Sequence, residues 1–279
     1  MRPKQIVASV LTVLFCTAAV AWADGPVRFQ FRRGQVLQYR VEQTSSATDS
    51  LGDLRTTVST RVEQVKDWHV VQVEPDGTAV VQLSVSRLKV QHRLPSGEVW
   101  EYDSAAPEAS AAALREKLAP FVGKPLAVFR IDPWGRVVES RTLSPVFADR
   151  FVNELPFTIC LASRDLQPGQ TWSRSFRRPV TSPTGSKSEA ELEQQFQVRS
   201  IHNGQVVIAF ATQIQNQPGE LLARLPLLQC QPTGEAIFDM QLGQVVSARY
   251  VSGGVIEGHQ GEGSRYEFSS ECRETLIGQ

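Results

Sequence analysis

The sequence predicts a mainly β chain of the α+β class: two related, curved antiparallel β-lobes, with about two short helices between and covering them. Three observations carry this expectation. Apolar and polar residues alternate with a period of two over most of the chain. Turn sequences containing Pro and Gly separate the alternating stretches, and several of these turns recur in the same order in the two halves.

The lobes are preceded by a segment of a different kind. Arg2 and Lys4 make a basic start, Ile6 to Val20 is almost continuously apolar, and Ala21-Trp22-Ala23 has the small-x-small exit of a secretory signal peptide. Residues 1–23 are therefore expected to be removed on export to a periplasmic or extracellular compartment. Cys16 belongs to the apolar run, since Phe15 stands where a lipid-attachment motif needs a small residue. Beyond Ala23 no stretch is long and apolar enough to span a bilayer as a helix.

Strand signals begin with Ala79, Val81, Leu83 and Val85, which alternate with Gln82, Ser84 and Ser86. At Leu88 and Val90 the apolar phase moves to even numbers, predicting a β-bulge near Ser86–Arg87. Further strands are predicted at Val206-Ile208-Phe210, Val246-Ala248-Tyr250 and Tyr266-Phe268, with turns at Pro75-Asp76-Gly77, Pro95-Ser96-Gly97, Asp132-Pro133-Trp134-Gly135 and Pro232-Thr233-Gly234. Two stretches keep helical spacing instead. Pro107 to Ala119 sets Ala111, Leu114 and Leu118 on one stripe, closed by Pro120. In the second, Ser144 caps, Pro145 takes the first helical position, Phe147, Phe151 and Leu155 share a face, and Pro156 ends the helix.

The internal echo has three members. Arg33-Gly34-Gln35-Val36-Leu37 returns as Pro168-Gly169-Gln170-Thr171-Trp172, and Pro95-Ser96-Gly97-Glu98 returns as Pro232-Thr233-Gly234-Glu235. Gly135-Arg136-Val137-Val138 returns as Gly243-Gln244-Val245-Val246. The third pair is more closely spaced than the others, which is expected if the second half lacks a counterpart of the Pro107–Ala119 helix. The organisation expected is a leader at 1–23, an N-terminal lobe at 24–156 carrying both helices, and a C-terminal lobe at 157–279.

Gly34-Gln35 and Gly169-Gln170, Asp76-Gly77, Asp103-Ser104 and Pro168-Gly169-Gln170-Thr171-Trp172 together resemble uncharacterised secreted bacterial families with a signal peptide and a duplicated β-rich body. The resemblance implies fold and address, not chemistry. The chain also resembles, in its general build, the half-barrel sheets of lipoprotein-carrier proteins, which hold acyl chains against an apolar concave face.

Charge excludes some partners. Lys and Arg number 29 and Asp and Glu 29, with no block of either sign, so nothing draws the chain to nucleic acid or an anionic membrane. Cys160, Cys230 and Cys272 remain after loss of the leader, and in an oxidising compartment two of the three are expected to pair.

No catalytic residue is legible. The histidines His69, His92, His202 and His259 have no Gly-x-Ser-x-Gly elbow to serve, and Ser86 and Lys89 fall on opposite faces of a predicted strand. Gly185-Ser186-Lys187-Ser188 lacks the first glycine and the strand-to-helix setting of a phosphate loop. Asp103 and Asp132 lie at turns, where an aspartate commonly binds the local backbone. Glu257, His259 and Glu262 are the weak metal candidates, two carboxylates and an imidazole that suit zinc, although the same glycine-rich segment reads better as a hairpin whose glycines serve the turn. Trp134, at a turn tip, is the candidate for a binding surface. No cofactor is expected. The function favoured is a non-catalytic envelope module for an apolar or extended ligand or a protein partner; a hydrolase assembled only in three dimensions and a structural envelope-assembly protein are the alternatives.

Overall fold

The computed structural model describes residues 27–143, 159–162, 165–181, 185 and 187–279. The leader at 1–23 and the helix expected at Ser144–Leu155 lie outside the described residues. Twelve strands form one open antiparallel sheet: β1 (Val36–Leu51), β2 (Leu54–Val73), β3 (Ala79–Arg93), β4 (Val99–Asp103), β5 (Pro125–Ile131), β6 (Val137–Thr142), β7 (Thr171–Thr181), β8 (Lys187–His202), β9 (Gln205–Ile214), β10 (Thr233–Asp239), β11 (Gln244–Glu257) and β12 (Ser264–Gly278). Their order is β6-β5-β3-β2-β1-β12-β11-β10-β9-β8-β7, and β4 adds to the distal part of β3 beside β5. The two expected lobes are thus continuous, joined where β12 pairs with β1.

Most strands bury one face, as their alternation requires, while β6 at the sheet edge buries none of its residues. In β1 Leu37, Tyr39 and Val41 are buried between exposed Val36, Arg40 and Glu42. The phase change in β3 is a bulge: pairing with β2 passes from Val65↔Arg87 to Lys66↔Val85, leaving Ser86 as the extra residue. Buried side chains from both halves, among them Trp68, Leu83 and Phe129 of the first and Phe196, Ile208 and Phe238 of the second, belong to one cluster. A sheet this wide brings its two wings to a common core only by curling, so its buried face is concave.

The pairing path β1-β2-β3-β5-β6 recurs as β7-β8-β9-β10-β11. The glycine turns that open each path make the same bonds. Gly34 N donates to Val70 O and Val70 N to Gln35 O; Gly169 N donates to Val198 O and Val198 N to Gln170 O. One residue further along each second strand lies a bulge, at Val71 in β2 and at Arg199 in β8. Gly135 and Gly243 also correspond, at the β5–β6 and β10–β11 turns, and the segment at 27–31 crosses both. Phe29 N donates to Pro133 O (2.7 Å) and Gln30 N to Gly243 O (3.0 Å).

Three expectations are corrected. Pro232-Thr233-Gly234 is no turn: Thr233 starts β10, and Gly234 pairs with both Phe210 and Tyr250. A Cβ there would lie 2.1 Å from Arg249 O, so glycine serves a close strand approach rather than a reversal. The second half does possess an insertion between its third and fourth paired strands: helix α2 (Leu221–Arg224) followed by a 3₁₀ turn, Leu225–Cys230. It occupies the place that β4, helix α1 (Ala112–Leu118) and their flanking 3₁₀ turns hold in the first half. Finally, Cys160, Cys230 and Cys272 are buried and none is joined in a disulfide among the described residues. They sit on a core segment, a 3₁₀ turn and a strand interior, and Cys230 Sγ donates to Pro226 O at 3.3 Å.

Candidate functional site

Strand register arranges the concave face into rows. Nearest the glycine turns that open each path, Leu37, Trp68 and Leu83 align across β1, β2 and β3, and Trp172, Phe196 and Phe210 align across β7, β8 and β9. This end is filled. Phe29 meets Phe238 edge-on at 5.0 Å between centroids, Trp172 stacks on Phe196 at 5.4 Å, and the segment Ile159-Cys160-Leu161-Ala162 is buried beside them.

The next row is polar in both halves. In the first it holds Tyr39, Lys66 and Val85. Lys66 Nζ stands 3.7 Å from a Glu274 carboxylate oxygen contributed by β12, and the Tyr250 hydroxyl donates to the same carboxylate at 3.1 Å. The Tyr39 hydroxyl donates to Val245 O at 2.9 Å; burial, with the Glu274 charge adding to it, pushes its pKa far above the usual phenol value. In the second half the row is Arg174, Gln194 and Thr212. Arg174 Nε donates to Gln194 Oε1 (2.9 Å), and Gln194 Nε2 to Thr212 Oγ1 (3.0 Å).

Beyond this row the wings differ. In the second half the α2 insertion folds over the concave face. Leu227 and Cys230 pack with Val180, Ala190 and Leu192, and Leu228 reaches Gly254, where a Cβ would meet its Cδ2 at 3.0 Å. In the first half α1 buries no residue completely and hydrogen-bonds alongside β4, with Ala111 N donating to Glu101 O. Val58, Val62, Leu88, Val90 and Phe268 therefore line the concave face only half-buried, among Ser45, Thr60 and Ser270. This apolar surface with hydroxyls interspersed is the candidate site. A groove of about 610 Å³ crosses β1, β12 and β11; its lining includes Ser45, Phe268 and Ser270 of this surface as well as Thr44, Ser46, Val251 and Ser269, which alternation assigns to the opposite face.

The residues singled out in the sequence are dispersed. Glu257 pairs with Arg265 at 2.5 Å, and Glu262 is exposed. His259 is buried, with Nε2 3.2 Å from Asp49 Oδ1 in an ion-pair approach lacking hydrogen-bond alignment, and its ring lies edge-on to Tyr266. Among the described residues no three His, Cys, Asp or Glu side chains are placed to hold a metal ion. His92 Nδ1 meets the Thr60 hydroxyl at 2.9 Å, while His69 and His202 are exposed. Asp132 and Asp103 bind backbone N–H groups of their own turns. Trp134 does not stand free at its turn tip; it is half-buried against the core, and its carbonyl accepts from Leu161 N at 2.8 Å. The polar row was invisible in the sequence, because Arg174, Gln194 and Thr212 become neighbours only through strand register.

No family model matches the chain, and no curated protein is similar to it in sequence. Among solved structures, one of lipovitellin, described for its lipid–protein interactions, is similar with a TM-score of 0.54 and 15% identity, covering 89% of this chain. This chain spans about a quarter, 26%, of that one. At such identity the likeness is one of fold. DynF of the dynemicin pathway of Micromonospora chersina aligns over 97% of this chain and 94% of its own at 8% identity, but with a TM-score of 0.24. A complex of MucB with MucA aligns over 85% of this chain at a TM-score of 0.12. Neither of these two carries a comparison of folds.

Proposed function

We propose that this chain is a non-catalytic binding module of the cell envelope whose concave face holds an apolar or extended, lipid-like ligand. One observation carries the reading: past the filled end, the first wing and the adjoining β12 present a stripe of half-buried apolar side chains, Val58, Val62, Leu88, Val90 and Phe268, that the fold leaves incompletely covered. Leaving such area in water forgoes about 25 cal/mol per Å² of burial, which a ligand chain would recover. A large mixed stripe on a concave face fits a ligand better than solvent does. The likeness in fold to lipovitellin, a protein described for its lipid–protein interactions, supports it.

Two further readings belong with this one. Export rests on the basic start, apolar run and Ala21-Trp22-Ala23 exit of residues 1–23. Origin by duplication, with lobes at 24–156 and 157–279, is supported by the repeated pairing path and by the matching bonds at Gly34 and Gly169.

The test is to express the full precursor, purify the processed protein and extract it for mass spectrometry. A co-purifying lipid is expected, and Val62→Gln should lower its yield several-fold while moving the melting temperature little, because Val62 is only half-buried. Absence of any extractable ligand, together with tryptophan fluorescence unmoved by added oleate or oleyl alcohol, would refute the reading.

A further inference from the structure

The two polar rows differ in how they settle their cation. In the first wing β1 is followed in the sheet by β12, whose Glu274 faces Lys66. In the second wing β7 is the edge strand of the sheet, and among the described residues no strand pairs beyond Arg174 to supply a carboxylate. Among the described residues Arg174 has no ion-pair partner.

Its position is nevertheless fixed. The guanidinium carbon lies 5.3 Å from the Phe176 ring centroid and 5.7 Å from that of Phe196, with Nε held by Gln194. Gln194 is itself buried and anchored on Thr212. Phe196 belongs to the central cluster and Phe176 packs on the second, so the cation lies between two apolar bodies. The β5–β6 turn is tied to this edge: Leu161 N donates to Trp134 O and Trp172 Nε1 to Cys160 O. That arrangement brings Arg136, likewise without an ion-pair partner among the described residues, near enough to repel the Arg174 charge. Burial, more than this repulsion, weakens the hold of Arg174 on its proton, although a guanidinium remains charged at neutral pH. An oriented, partly desolvated cation with a second cation beside it and no carboxylate is stabilised by an anion from outside.

We infer that Arg174 is the recognition point for the anionic head, a carboxylate or phosphate, of an amphipathic ligand whose apolar chain lies along the same concave face. This deepens the lipid-binding reading and rests on it. Gln194 aims the guanidinium fork, the two rings hold it by cation–π contact, and its remaining N–H groups are left to meet two oxygens side by side.

Titration of the processed protein, followed by tryptophan fluorescence, with oleate below its micelle concentration, oleyl alcohol and inorganic phosphate tests the assignment. Oleate is expected to bind about tenfold or more tightly than oleyl alcohol, the worth of one charge-assisted pair. Arg174→Met, which keeps an apolar stem against Phe176 and Phe196, should erase that preference while leaving oleyl alcohol binding within about twofold. Arg136→Gln, at an exposed side chain whose loss does not threaten folding, should reduce the preference by a few-fold. Equal binding of oleate and oleyl alcohol by the unaltered protein would overturn the head-group site while leaving the lipid reading standing. Binding of neither would overturn both. Binding of phosphate but not oleate, abolished by Arg174→Met, would overturn the amphiphile and leave a site for a free anion.

Discussion

Where Phe29 meets the β5–β6 turn, the chain has room for a hydrogen atom and nothing larger. Gly135 has φ of +82°, and a Cβ built on it would meet the Phe29 ring. The ring cannot retreat easily, because Phe238 stands edge-on behind it and Phe31 is stacked at 6.0 Å. The same segment presses on Gly243, where an added Cβ would crowd the Gln30 backbone nitrogen at 2.7 Å. Two equivalent turns are thus pinned by one strap, and glycine is needed at each both for its backbone angle and for the space. Gly135→Ala is expected to destabilise by about 2–4 kcal/mol, combining the left-handed penalty with displacement of a packed ring. It should lower the urea midpoint without changing the slope of the transition. A loss below about 1 kcal/mol would mean that the Phe29 contact gives way freely.

At the scale of the element, Gly234 and Gly97 look alike in sequence and differ in what surrounds them. Gly97 closes the β3–β4 turn with φ of +86° and open space around it, whereas Gly234 lies inside β10 with Arg249 O and Tyr250 Cα against the missing Cβ. Gly97→Ala should therefore cost only about 1–2 kcal/mol, the left-handed penalty alone. Gly234→Ala must push β10 from β11 and should cost more; thermal melts of the two variants compare them directly, and equal losses would refute the difference. This pair also marks the reach of the sequence. Local signals were sound: the phase change from Val85 to Leu88 located the Ser86 bulge, and Pro107 and Pro120 framed the helical segment that contains α1. The turn assigned to Pro232-Thr233-Gly234 failed because Pro, Thr and Gly also suit a strand entry where two backbones approach. The insertion at 221–230 is not legible because Leu-Leu-Ala-Arg-Leu-Pro-Leu-Leu is a mostly apolar run, interrupted by Arg224, with no clear period, and such short runs do not separate helix from strand. The half-buried stripe and the Arg174 row depend on pairing between distant strands, which alternation within one strand cannot specify.

At the scale of the molecule, the repeated pairing path and the continuous sheet make opposite demands on stability. Two five-strand units with their own turns and bulges have the connectivity of independent domains. The packing denies them independence. β12 lies between β1 and β11 over nearly its whole length, so neither wing ends in a free edge at the junction. Trp68 and Phe129 share one buried cluster with Phe196 and Phe238, and Phe29 bridges the wings through both of their equivalent turns. Opening either wing would strip apolar area from the other, and burying a single large aromatic is worth about 3–5 kcal/mol by truncation, so partial unfolding is costly at every one of these contacts. Equilibrium unfolding in urea is therefore expected to be a single transition, with far-ultraviolet circular dichroism and tryptophan fluorescence superimposing, since Trp68 reports on the first wing and Trp172 on the second. Two separated transitions, or a fluorescence change from Trp172 preceding loss of the sheet signal, would mean that the wings fold as separate units and that their common core contributes little.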